Sequence, residues 1–165
     1  MKALRDVLFG GAGSGSWFGD IGLLVLRLTG LILAVGHGLK KWPPPEMFVG
    51  GVQKLGFPAP TFFAWMAVLS EVVGGFLLAL GLLTRPAAFL VAGTMLVAAF
   101  GQHRSDPFFM GPTGPSKEPA ILFLLPALAL LFTGAGRYGV DYFLRGRRNE
   151  STGFPVQNLD NAAPR

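Results

Sequence analysis

Residues 61–83 read TFFAWMAVLSEVVGGFLLALGLL, and this stretch decides the fold. It is a continuous apolar run carrying one charge, Glu71. A single helix needs about 20 mainly apolar residues to cross a bilayer core. Three more blocks of the same character flank it: IGLLVLRLTGLILAVGHGL at 21–39, AAFLVAGTMLVAAFGQH at 87–103 and EPAILFLLPALALLFT at 118–133. Buried helices of a soluble domain would need polar segments to cover them. This chain is 51% hydrophobic and only 14% charged, against about a quarter charged in a soluble domain. A membrane β-barrel would alternate with period two, and these blocks do not. The expectation is an all-α integral membrane four-helix bundle, with helices near 21–39, 61–83, 87–104 and 118–134. The last two are short for a full span and call for bilayer thinning or polar anchors at their ends. Pro126 removes one backbone bond inside the last.

Outward from the blocks, the connections set the layout. A very short turn at 84–86 makes the second and third helices antiparallel neighbours. The first loop opens W-P-P-P, an extended segment, and then MFVGGVQKLGF, which reads equally as a short surface helix or as loop. Residues 105–117 are too rich in proline and glycine for regular structure. Lys2, Arg5, Arg85, Arg137, Arg145, Arg147 and Arg148 fall on one side, and Lys40, Lys41, Lys54, Arg104 and Lys117 on the other. That balance favours both termini in the cytoplasm. The net charge of +5 is then a topology signal and a headgroup contact rather than a nucleic-acid surface. Trp17, Phe18, Trp42, Tyr138 and Tyr142 fit interfacial anchors. The opening MKALRDVLFGGAGSGS lacks the apolar run of a cleaved signal peptide.

Cysteine is absent, which excludes disulfides, thiolate-held iron–sulfur clusters, blue copper and thiol chemistry by this chain. The ionisable groups inside the blocks are the remaining carriers of chemistry, because each costs free energy in a membrane and needs a partner or a task. They are Arg27, His37, Glu71, His103 and Glu118, with Gln102 beside them. At about 1.5 Å per residue, Arg27 lies about 10 Å from the cytoplasmic helix ends and Glu71 about 18 Å, with His37, His103 and Glu118 near 24 Å. The expectation is an Arg27–Glu71 pair below a shared level of His37, His103 and Glu118. Gly30, Ala34 and Gly38 on the first helix, and Ala64, Ala67, Gly74 and Gly75 on the second, are small residues that let backbones approach. Two histidines and a carboxylate match a non-haem metal ligand set. The H-x-x-x-H or E-x-x-H spacing on one helix is missing, so no metal ligand is assigned.

The combined pattern resembles the DoxX family of small four-helix membrane proteins. The resemblance runs from Ile21 to Leu144 and rests on L-L-V-L-R-L-T-G, G-H-G-L-K-K, G-F-P-A-P, S-E-V-V-G-G-F-L-L-A-L-G-L-L-T-R-P-A-A and the closing T-G-A-G-R-Y-G-V-D with Asp141. It divides the chain into an N-terminal arm at 1–20, a transmembrane domain at 21–144 and a basic, polar tail at 145–165. It implies a link to thiosulfate:quinone oxidoreductases and other membrane oxidoreductase complexes. The expected function is a membrane subunit of a quinone-linked oxidoreductase in the inner (plasma) membrane. Arg27, Glu71, His37 and His103 would form its proton or ligand pocket, with Glu118 joining them around a quinone or lipid. No intrinsic cofactor is expected, and the partners are lipid and other membrane or peripheral subunits, not nucleic acid. Two alternatives stand beside it: an accessory subunit that clasps a larger assembly through its tails, and metal or small-solute handling through His37 and His103.

Overall fold

The computed structural model describes residues 16–112 and 114–149. It is helical throughout, with no strand among the described residues. Three helices are long and apolar enough to cross a membrane: α1 (Trp17–Lys41), α3 (Pro60–Leu80) and α4 (Thr84–Gln102). A shorter apolar helix, α5 (Glu118–Thr133), completes the four-helix bundle and runs continuously through Pro126. Two further helices flank it, α2 (Glu46–Lys54) in the first loop and α6 (Val140–Asn149) after α5.

The helix ends depart from the expected ones by a few residues, and the departures have local causes. α3 stops at Leu80 because Gly81 turns left-handed (φ 66°) and closes a Schellman motif. In that motif Gly81 N–H donates to the Leu78 carbonyl at 3.0 Å and Leu82 N–H to that of Leu77 at 3.0 Å. α4 starts early, at Thr84, because Asp141 caps it from the far end of the chain. One carboxylate oxygen accepts Leu83 N–H at 2.8 Å, and the other accepts Thr84 N–H at 2.9 Å and the Thr84 hydroxyl at 2.7 Å. α1 begins four residues before the apolar block, with Asp20 buried in its first turn. The first loop's open choice falls to helix, α2, between Pro45 and Leu55.

The bundle is built inside out relative to a soluble protein. Large apolar side chains face outward, among them Ile32, Phe62, Phe89, Leu122 and Phe132. The interior is filled by smaller ones, with Ala88, Ala92, Ala99 and Ala127 beside Leu33, Leu78, Val91 and Leu130. An apolar exterior over small-residue seams is the arrangement a lipid environment favours.

α1 and α3 cross closely. A Cβ on Gly30 would lie 2.6 Å from the Gly75 carbonyl oxygen, and one on Gly75 would lie 2.5 Å from that of Gly30. About two turns further along α1, a Cβ on Gly38 would meet Val72 and sit 3.1 Å from the Glu71 Cβ. Each long helix also contains one π-helical turn, at Ala34–Gly38, Ser70–Gly74 and Ala98–Gln102. Such turns are rare and gather at functional sites. Here they carry His37, Glu71 and Gln102.

Candidate functional site

Glu71 projects from the π turn of α3 and is 2% exposed. Its partner is Lys41, not Arg27. The Lys41 ammonium donates to both carboxylate oxygens, at 2.7 and 2.8 Å. The expected Arg27–Glu71 pair fails on register. Glu71 lies opposite Gly38, about 16 Å along α1 from Arg27. Lys41, at the last turn of α1, turns back into the bundle and lies over the Phe48 ring of α2 at 5.3 Å. Its side chain is 32% exposed against 3% for Glu71, so the buried carboxylate meets the outside through the lysine.

His37 stands on the neighbouring π turn, exposed, with its ring edge-on to Phe123 of α5 at 5.1 Å. It lies within electrostatic reach of Lys41 and Glu71. Just beyond Lys41, Trp42 packs edge to face on Trp65 of α3 at 5.3 Å. Ser70, next to Glu71, buries a hydroxyl with no hydrogen-bond partner among the described residues. Lys41, Glu71 and His37 are thus titratable groups near one another at one end of the bundle, with the Phe48, Phe123 and Trp42 rings around them.

His103 and Glu118 have other partners. His103 Nδ1 is 2.8 Å from the Asp106 carboxylate, and Glu118 accepts the Met110 N–H at 2.7 Å. Both contacts hold the proline- and glycine-rich loop onto the ends of α4 and α5. No group of three or more His, Asp or Glu side chains among the described residues could hold a metal ion, and nothing supports a metal at His37 and His103.

Arg27 belongs to a second polar cluster, at the opposite end of the bundle. Its guanidinium donates to the carbonyls of Ala135 at 3.0 Å and Tyr138 at 3.1 Å. The space is so tight that a Cβ on Gly81 would fall 2.5 Å from one guanidinium nitrogen. Asp141 N–H donates to the Gly81 carbonyl at 2.8 Å, while its carboxylate caps α4. Asp20 accepts the Arg137 N–H at 3.2 Å, with the Arg137 side chain 3.4 Å away. This cluster ties the segment 134–141 to α1 and to the α3–α4 turn. These contacts hold the bundle's end together.

Sequence reasoning missed Lys41, Asp20, Thr84 and Arg137 as members of these clusters. The signals were faint: one acid in the first turn of an apolar helix, and a lysine doublet that looked like a loop boundary.

The DoxX family model matches residues 22–104. A Bacillus subtilis protein named "Putative oxidoreductase CatD" is 35% identical over 133 residues, covering 79% of this chain and 92% of that protein. The Mycobacterium tuberculosis membrane protein Rv3486 is 30% identical over 138 residues, covering 78% of this chain and 85% of its own. The Escherichia coli inner membrane protein YqjF is 30% identical over 126 residues, covering 76% and 93%. No solved structure matches the chain.

Proposed function

The chain belongs to the DoxX family of membrane proteins, and from that premise we propose that it is the membrane subunit of a quinone-linked oxidoreductase. The observation that carries this reading is the Lys41–Glu71 pair, a buried carboxylate whose outer partner is a third exposed. A ligand seated beside the pair would meet the Phe48 and Trp42 rings and few polar groups, surroundings that suit a small apolar ligand with polar ends. Lys41 would donate a hydrogen bond to a ligand carbonyl, and Glu71 would hold the proton that follows. His37, exposed beside them, would exchange that proton with water. A quinone bound there would take two electrons and two protons to become the quinol. With no cysteine in the chain, the electrons would come from a partner's redox centre. The relative named as an oxidoreductase supports the reaction class.

The same reading gives four membrane crossings with both termini in the cytoplasm, which places the Lys41–Glu71 pair in the outer half. The accessory-subunit reading rests on the tails at 1–20 and 145–165, of which residues 1–15 and 150–165 lie outside the described ones. One experiment separates the two: purification from native membranes with partners retained, followed by quinone reduction assays. Quinone reduction that falls at least about tenfold in Glu71→Gln, with the complex intact, matches loss of one strong hydrogen bond at the site. If activity is unchanged in Glu71→Gln and the complex instead dissociates when the tails are removed, the subunit is a scaffold.

A further inference from the structure

α2 lies across the end of α4, and the contact leaves a groove. The Gln102 side chain packs over Gly51, where a Cβ would come within 3.2 Å of the amide oxygen, and Leu55 covers Gly101. Beside this contact is an open cavity of about 530 Å³ lined by Lys54, Leu55, Phe100, Gln102, Arg104 and Asp106, among others. Its chemistry is asymmetric. Lys54 ends α2 and Arg104 follows α4, and neither side chain makes a hydrogen bond or ion pair with a described residue. The Gln102 amide also makes no hydrogen bond there. The acid in the wall, Asp106, is already engaged by His103 at 2.8 Å. Two uncommitted cations and an uncommitted amide therefore face one opening. An arginine offers a planar fork matched to phosphate oxygens, and a lysine adds a point charge.

The groove's apolar side identifies the source of the phosphate. Phe100 is 56% exposed and continues the outward face of α4 formed by Leu96 and Val97. That face is part of the apolar exterior of a helix able to cross a membrane. A ligand seated on Lys54 and Arg104 would thus have its remainder lying along a lipid-facing surface. A soluble phosphate would leave Phe100 and Leu55 unused. We infer that this groove binds the headgroup phosphate of an anionic phospholipid, with an acyl chain along Phe100. The site is separate from the Lys41–Glu71 pair and does not depend on the quinone reading.

The test is native mass spectrometry of the full chain released from nanodiscs made of phosphatidylglycerol and phosphatidylcholine in equal amounts. The expected result is about one retained phosphatidylglycerol per chain, with retention reduced about thirtyfold in the Lys54→Gln/Arg104→Gln double variant. The charge-conserving Lys54→Arg/Arg104→Lys variant retains it, which distinguishes loss of charge from loss of fold. Inorganic phosphate added in excess leaves the lipid in place. Equal retention of both lipids, or unchanged retention in the Gln variant, overturns the inference. Displacement of the lipid by inorganic phosphate also overturns it, because the groove would then take a soluble anion.

Discussion

Lys41 and Glu71 are bound to each other by two short contacts, yet they are not equivalent. Removing the ammonium leaves a buried carboxylate with no cation. Removing the charge from Glu71 leaves a lysine that is a third exposed and able to reach water. Lys41→Met is therefore expected to destabilise the protein more than Glu71→Gln. The penalty for an orphaned buried charge reaches about 3–5 kcal/mol, whereas a lysine with access to solvent costs about 1 kcal/mol or less. The double variant is expected to regain most of the stability lost in Lys41→Met. Thermal unfolding in detergent of the two single variants and the double variant checks this order. Equal losses for the two single variants would show that the pair is as exposed on its Glu71 side as on its Lys41 side.

For the helices, the decisive quantity is register. The four apolar blocks were legible because hydropathy over about 20 residues is a strong signal. The pairing of charges was not. Depths counted from the block ends assume that antiparallel helices begin and stop at common levels. Here the Gly30–Gly75 contact sets the register instead, and it slides Glu71 past Arg27 to Gly38. The helix ends were legible only to within a few residues because their caps are tertiary. Asp141 starts α4 from 57 residues away, and the bond between Arg137 and Asp20 spans 117 residues. α6 was not legible because its apolar residues are too few for a membrane block, and it runs across the expected domain boundary at 144. Of the small residues, Gly30, Ala34, Gly38 and Gly75 lie at the α1–α3 contact, and they carry a prediction. Gly75→Val places branched carbon against the Gly30 backbone, and overpacking of this kind costs about 1–3 kcal/mol. Gly93 has nothing within 4 Å, so Gly93→Ala should be neutral or stabilising, by up to about 1 kcal/mol. Unfolding midpoints of the two variants provide the comparison, and a Gly75→Val protein as stable as the parent would refute the close crossing.

Across the whole molecule, helix lengths are uneven. α1 has 25 residues and α5 only 16, which makes α5 about 24 Å long against a hydrocarbon core of about 30 Å. The protein should therefore resist unfolding best in bilayers thinner than average, since mismatch costs fractions of a kcal/mol per Å. Reconstitution in phosphatidylcholines of increasing chain length, with unfolding followed by circular dichroism, should show stability falling as the bilayer thickens. A maximum in the thickest bilayers would mean that α5 does not set the span. The molecule also separates its polar groups by end. Arg27, Asp20, Arg137 and Asp141 are consumed in holding one end closed, whereas Lys41, Glu71 and His37 gather at the other beside Trp42 and Trp65. That division makes the Lys41–Glu71 cluster the place to look for a ligand. Tryptophan fluorescence of a Trp17→Phe protein in nanodiscs, titrated with a short-chain quinone, tests it most directly. The account predicts saturable quenching of Trp42 and Trp65, with the apparent Kd raised about tenfold in Glu71→Gln, the loss of one strong hydrogen bond, and unchanged in Arg104→Gln. Quenching that rises linearly without saturation, or that is identical in the parent and in Glu71→Gln, would contradict it.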